Sequence, residues 1–351
     1  MTRFPLLIRK WYLNHGRSLP WRETRDPYKI WISEIILQQT QVTQGKKYYL
    51  NFLRAFPDVH ALAEASEKEV LQQWQGLGYY SRARNLHQAA KTIVKEHNGL
   101  FPQTYKKIQT LKGIGPYTAS AIASFAFDLP YAVVDGNVYR LLSRIYAIST
   151  PVDTHEGKNQ FKELADRLLD RNDPATHNQA IMETGAMICR PSLPLCSECP
   201  VAHLCKAFAK GKQTEFPVKS KRKVRKKRYL NFLIIHCKDN ILIQKRQDKD
   251  IWQGLYQFPL IETPHKPTKK IIARRIYDLT NTHLPLKKIM DKKHLLTHQE
   301  LQTAFYRIEW PENLAIPENF IKTQPGWISP EEAGEFPFPQ LIKESLHKIL
   351  R

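Results

Sequence analysis

Four cysteines fall within seventeen residues, Cys189, Cys196, Cys199 and Cys205, in a C-x6-C-x2-C-x5-C spacing. They are four of the five in the chain. Soft thiolates this near in sequence can close around one metal centre, and zinc or an iron–sulfur cluster accepts such a set. The spacing differs from the paired C-x2-C zinc knuckle and leaves the metal open. Two carboxylates stand in contrasting settings. Glu34 lies in IWISEIILQQTQV, an apolar stretch where burial disfavours charge and raises a carboxyl's pKa. Asp135 lies in VVDGNVYRLLSRI, at the start of an amphipathic helix, where an N-cap carboxylate is held ionised and its pKa is expected to fall. One carboxylic acid and one carboxylate form the pair that breaks a glycosidic bond near neutral pH. The acid protonates the leaving group and the anion steadies the cationic sugar.

These groups need a scaffold. Over residues 1–212 apolar residues recur at three and four spacings, as in Val70, Trp74 and Leu77, or Leu86, Ala89, Ala90 and Ile93. Gly and Pro punctuation cuts that pattern into many short helices. LKGIGPYTA (111–119) sets Gly113 and Gly115 around one isoleucine between two helical segments. Such a turn points backbone N–H groups outward, where a phosphate binds without regard to sequence. Residues 219–228, KSKRKVRKKR, are basic at eight of ten positions and read as a linker that faces phosphate or a protein partner. Beyond it YLNFLIIHC, KDN and ILIQKR read as two strands and a tight turn, and IIARRIYDL as a helix. The expectation is a mainly α region over 1–212 with a metal loop at 189–205, a linker over 213–229 and an α/β domain over 230–351.

The chain of 351 residues carries 54 Lys plus Arg against 33 Asp plus Glu, a net charge of +21. That excess goes well beyond what solubility requires and points to a polyanion, with nucleic acid ahead of an anionic membrane. No apolar run approaches the roughly 20 residues that span a bilayer. The N-terminus lacks a signal-peptide cleavage pattern. A cytoplasmic monomer is expected, in which cysteines serve as metal ligands or free thiols rather than disulfides.

Together LPWRETRDPYKIWISEIILQQTQV, WQGLGYYSRARNLH, LKGIGPYTA, AVVDGNVYR and the four-cysteine loop resemble the adenine DNA glycosylase (MutY) family, within the endonuclease III-like helix–hairpin–helix superfamily. The resemblance runs from about Leu19 through Cys205 and is weaker beyond. It implies a helix–hairpin–helix fold of two helical subdomains and one [4Fe–4S] cluster on Cys189, Cys196, Cys199 and Cys205. It implies double-stranded DNA with adenine opposite 8-oxoguanine or guanine as substrate, the adenine being flipped out and excised. Glu34 then protonates adenine N7, and Asp135 stabilises the oxocarbenium-like sugar. Tyr117 and Asn137 assist at the sugar and water, and Arg22 lies by the adenine pocket. Bifunctional relatives carry a lysine where this chain has Tyr117. A phenol forms no imine, so a monofunctional enzyme without an efficient lyase step is expected. By the same resemblance Gln39 enters the duplex near the lesion, Thr40 contacts 8-oxoguanine, and Leu77 with Tyr79 forms a wedge from the opposite side.

Residues 230–351 resemble the Nudix-like recognition domain of that family. A Nudix hydrolase needs a helix rich in Glu to hold Mg²⁺ on a diphosphate. Here that helix is KKIIARRIYDL, basic where it should be acidic, so binding rather than hydrolysis is expected. Leu296-Thr297-His298 stands where the family has Phe-Ser-His, a loop that reads 8-oxoguanine. Thr297 keeps the hydroxyl and His298 is present, while the aromatic ring is missing. Competing readings are an endonuclease III-like enzyme for damaged pyrimidines, a non-catalytic DNA-binding protein, and a Nudix hydrolase. Tyr117, the Glu34–Asp135 pair and the basic helix respectively oppose them.

Overall fold

A computed structural model describes residues 3–220, 224–320 and 326–350. Residues 221–223 of the basic run lie outside the described residues. Two compact units emerge, Met1–Glu64 with Asn85–Lys221, and Ala65–Arg84 with Arg222–Arg351. The segment 65–84 therefore groups with the second unit, whereas the sequence placed it within a helical domain over 1–212.

The helices, in chain order, are α1 (Arg3–His15), α2 (Pro27–Ile36), α3 (Val42–Ala55), α4 (Val59–Glu64), α5 (Glu67–Gln73) and α6 (Ser81–His97). There follow α7 (Tyr105–Thr110), α8 (Pro116–Phe127), α9 (Gly136–Tyr146), α10 (His155–Leu168), α11 (Pro174–Met187) and α12 (Lys206–Ala209). Their starts are written in the sequence. The Asp26 carboxylate caps α2 by accepting the N–H of Tyr28 and Lys29, with Pro27 preset in the first turn. Asp135 caps α9 and Asp173 caps α11. In the first unit α2 packs on α8, α1 on α11 and α9 on α11. α2 is buried from Ile30 through Ile36, as befits a helix apolar all round. The α7–α8 turn is the expected hairpin. Gly113 is left-handed (φ +82°), and a Cβ there would stand 2.6 Å from Asn85 Cβ. Gly115 is extended at the N-cap of α8 and faces open space.

The second unit is built on a mixed sheet. Its strands are β1 (Lys226–Cys237), β2 (Asn240–Lys245), β3 (Tyr256–Gln257), β4 (Leu260–Thr263), β5 (Leu286–Leu295), β6 (Gln299–Glu309) and β7 (Gly326–Ile328). The order is β3-β2-β1-β6-β5, with β4 paired to β1 and β7 to β2. β1 and β6 run parallel, with Phe232 opposite Phe305. Alternate β1 residues serve two cores: Leu230, Phe232 and Ile234 on one face, Leu233 and Ile235 on the other. Helix α13 (Lys269–Thr280) covers the latter through Ile272 and Ile276. Lys269, Lys270, Arg274 and Arg275 on it are exposed.

β1 begins inside the segment read as linker. Arg228 is strand and buried, and its guanidinium donates to Asp250 and Glu262 at 2.7 Å. The charge expected in solvent finds carboxylates distant in sequence instead. No helix among the described residues is long and apolar enough to cross a membrane.

Candidate active site

One pocket of about 420 Å³ in the first unit gathers Arg22, Glu34, Gln39, Thr40, Tyr117, Asp135 and Asn137. Helix α2 delivers Glu34, the hairpin delivers Tyr117 in the first turn of α8, and α9 starts at Asp135. The short turn Pro20–Arg22 packs Trp21 edge-on against Tyr49 and turns Arg22 inward. Glu34 is 7% exposed. Burial pushes its carboxyl up to about 7, aided by the Asp135 charge and opposed by a hydrogen bond with Tyr117 and by Arg22. The direction of the shift is the one the apolar stretch implied. The Tyr117 hydroxyl is itself raised far above the ordinary phenol by burial and by the facing carboxylates.

Asp135 differs from its expectation. It does cap α9, accepting the N–H of Asn137 and Val138 at 2.8 Å each and Asn137 Nδ2 at 2.6 Å. Yet its carboxyl lies above, not below, the ordinary value. Burial raises it, and the N–H donors and Arg140 offset only part of that. The cap sits in a pocket floor instead of at a wetted helix end.

Several residues here carried no flag in the sequence. Glu183 of α11 is fully buried in the pocket wall. Arg17 donates to it from Nε at 2.6 Å, from Nη2 at 2.8 Å and from its backbone N–H at 3.0 Å. Arg22 Nη2 donates at 2.7 Å. Burial pushes the Glu183 carboxyl up, but the two guanidinium groups prevail and bring it down to about 2. The signal was present: AIMETGAMI, like the Glu34 stretch, sets one carboxylate in an apolar helix. Below Asp135, Arg140 ties the floor together. It donates from Nη2 to Asn137 Oδ1 at 2.8 Å and from Nε to the Cys189 carbonyl at 2.5 Å. Next to these, a Cβ on Gly185 would stand 2.8 Å from the Asn137 carbonyl oxygen, so α9 and α11 meet without an intervening side chain.

Cys189, Cys196, Cys199 and Cys205 line one cavity in the first unit. Among the described residues, no three Cys, His, Asp or Glu side chains are grouped to grip a single ion. Four thiolates around one cavity make an anionic centre once they hold a metal ion or a cluster. The donors around the cavity suit such an anionic body. Arg144 is 2% exposed, and its guanidinium donates to the Cys189 sulfur at 3.4 Å and to the carbonyls of Arg190 (2.7 Å), Pro191 (2.8 Å) and Phe216 (3.1 Å). No carboxylate among the described residues pairs with it, and a buried cation calls for a negative neighbour. Gln213 Oε1 in the same wall is buried without a partner.

In the second unit Leu77, Tyr79, Thr297 and His298 share a pocket of about 690 Å³. The Tyr79 hydroxyl lies 2.5 Å from Thr297 Oγ1. Gly76, Gly78 and Tyr79 are all left-handed, at φ 99°, 69° and 47°. Arg82 fastens this loop by donating to the carbonyls of Leu77 and Gly78. Tyr79 is exposed, but Leu77 is 8% exposed and turned into the protein, where an apolar side chain finds cover. Leu296 packs on the sheet core, so the missing aromatic is replaced by aliphatic packing. In the first unit Gln39 is exposed and left-handed, at φ 58°.

Residues 32–167 match the HhH-GPD superfamily of base excision DNA repair proteins, and residues 231–348 match the NUDIX domain. The chain is 35% identical over 337 residues to the adenine DNA glycosylase of Buchnera aphidicola subsp. Baizongia pistaciae, covering 90% of this chain and 94% of that protein. It is 34% identical over 346 residues to the adenine DNA glycosylase of Buchnera aphidicola subsp. Schizaphis graminum, covering 98% and 97%. Among solved structures, a thermostable thymine-DNA glycosylase matches at TM-score 0.55 and 30% identity, over 60% of this chain and 96% of that one.

Proposed function

We propose, for a chain that belongs to the adenine DNA glycosylase family, that it binds duplex DNA, extrudes adenine mispaired with 8-oxoguanine or guanine, and hydrolyses the N-glycosidic bond. One observation carries this reading: Glu34 and Asp135, 101 positions apart in the chain, meet in one pocket with different hydrogen-bond surroundings. Glu34, whose raised carboxyl keeps its proton in part near pH 7, passes that proton to N7 of the flipped adenine, which makes the base a better leaving group. Positive charge then builds on the sugar beside Asp135. A carboxylate denied full solvation gains most when a cation forms next to it, and the N–H donors from Asn137 and Val138 keep it aimed. Asn137 and Tyr117 hold the water and the sugar, and Arg22 bounds the base.

Among the described residues that line the pocket none is a lysine. This supports a monofunctional enzyme, since imine formation needs an amine. Gln39, Thr40 and Tyr79 are the residues proposed to occupy and probe the opened stack, while Gly113 and Gly115 take the DNA backbone. Thr297 and His298 are proposed to read 8-oxoguanine. The four cysteines would hold one [4Fe–4S] cluster, a redox-capable body that when bound would cross-link the 189–205 loop.

The test is to incubate the protein with duplexes holding A opposite 8-oxoguanine, A opposite G, or thymine glycol, and then treat with alkali. Strand breakage at A only after alkali is expected. Absence of excision from both A mispairs overturns the activity, and efficient borohydride trapping through a lysine overturns monofunctionality.

A further inference from the structure

The basic run over 219–228 ends on the loop that carries Thr297 and His298. That loop joins β5 to β6 through Leu296, Thr297, His298 and Gln299, and the Leu296 N–H donates to the Gln299 carbonyl at 2.8 Å. A two-residue hairpin loop matches the twist of its strands when left-handed residues occupy it. Neither Thr297 nor His298 is left-handed, so the loop needs support from outside itself. Three residues at the end of the basic run supply it. Arg225 Nε donates to the Leu296 carbonyl at 3.0 Å. The Lys226 backbone N–H donates to the His298 carbonyl at 3.1 Å. Arg228 Nη1 donates to Gln299 Oε1 at 3.1 Å, while Asp250 and Glu262 hold the same guanidinium. The Leu296 side chain packs on the sheet core. The side chains that the loop leaves exposed are Thr297 and His298.

Resting on the proposed reading role of Thr297 and His298, we infer that Arg225 is a positioning residue for recognition of 8-oxoguanine: by holding the Leu296 carbonyl it sets the loop that presents both side chains. An exposed arginine in a basic run would ordinarily serve a phosphate. The two roles leave different traces. A phosphate contact carries no base information, so its loss weakens every duplex alike and lowers the salt dependence of binding. An arginine bonded to the loop carbonyl acts through Thr297 and His298, so its loss falls on the duplex that holds the oxidised base. Arg228 is the poorer probe, because removing it strands the Asp250 and Glu262 carboxylates.

The experiment uses the full-length protein. Single-turnover excision is measured with A opposite 8-oxoguanine and with A opposite G, and duplex affinity is measured across a salt series. Arg225→Ala, an exposed position, is expected to lower the ratio of the two rates about three- to tenfold, the worth of one hydrogen bond. The salt slope of binding stays at the parent's value. In a Thr297→Ala, His298→Ala background, adding Arg225→Ala is expected to leave the ratio where that background has it. An equal loss on both duplexes with a salt slope shallower by about one makes Arg225 a phosphate contact and overturns the inference. So does an unchanged ratio in Arg225→Ala when the Thr297→Ala, His298→Ala background lowers it. If that background itself keeps the parent's ratio, the reading role of the loop falls, and the inference falls with it.

Discussion

Two walls of one pocket each carry a glutamate within an apolar helix, Glu34 on α2 and Glu183 on α11. Both are buried, yet one sits near 7 and the other near 2. Burial alone therefore does not decide the charge; the cations do. Glu183 takes three donors from Arg17 and one from Arg22. Glu34 has the Tyr117 hydroxyl and only a weak pull from Arg22. Arg22 stands between them and is committed to Glu183. By holding Arg22, Glu183 leaves Glu34 with only a weak counter-charge, too little to offset burial.

The contrast breaks first at Glu34 itself. Glu34→Gln keeps the shape but has no proton to give, so single-turnover excision should fall by about 10²–10⁴-fold with duplex affinity retained. A rate within threefold of the parent would remove Glu34 from the acid role. Glu183→Gln attacks the other wall. It strips the anion from two guanidinium groups and should cost about 3 kcal/mol in urea denaturation, the low end for a buried pair because Arg17 is 38% exposed. It also releases the Arg22 charge toward Glu34, so the alkaline limb of the excision–pH profile should move to lower pH.

Stability against pH sharpens the same point. The Glu34 carboxyl is raised from 4.5 to about 7 on folding, so the folded state holds its proton more tightly. The associated stability is fully present below pH 4.5 and is lost as pH rises through about 7. At 1.36 kcal/mol per unit this amounts to about 3 kcal/mol. Glu34→Gln should thus be more stable than the parent at pH 8 and about equal to it at pH 4, in paired denaturation curves. A constant difference across that range would contradict the protonated state. The smallest effect is expected from Tyr117→Phe. The lost hydroxyl had lowered the Glu34 pKa, so the alkaline limb should move upward by less than about one unit, opposite in sign to Glu183→Gln.

Much of this pocket was legible in the sequence because its signals are local. A carboxylate in an apolar helix, an aspartate before a helix, and two glycines around one isoleucine each announce themselves within ten residues. The strands and α13 were legible for the same reason, as short periodic runs. What was not legible depends on partners far along the chain. Arg17 and Glu183 are 166 positions apart, and no local rule says that a glutamate in AIMETGAMI will meet two arginines. Asp135 looked like a wetted cap because its own neighbours are a cap's neighbours; the burial comes from elements elsewhere. Arg228 looked solvated because eight of the other nine residues of the basic run are charged or polar, while Asp250 and Glu262, which pair with it, lie 22 and 34 positions further along the chain.

The bare face of Gly185 sets the gauge of this machine. Helix α11 carries Glu183 two residues before it, and α9 begins with the Asp135 cap, so the contact between Gly185 and Asn137 fixes how far apart the two walls stand. One added methyl, in Gly185→Ala, must push backbone against backbone. The expected outcome is reduced excision with the helical content kept, measured by turnover and circular dichroism side by side. In a survey scored by activity alone that variant would be filed with the acid-less Glu34→Gln, although it changes no group that meets a base. Tolerance at such a position is a matter of machining rather than of chemistry.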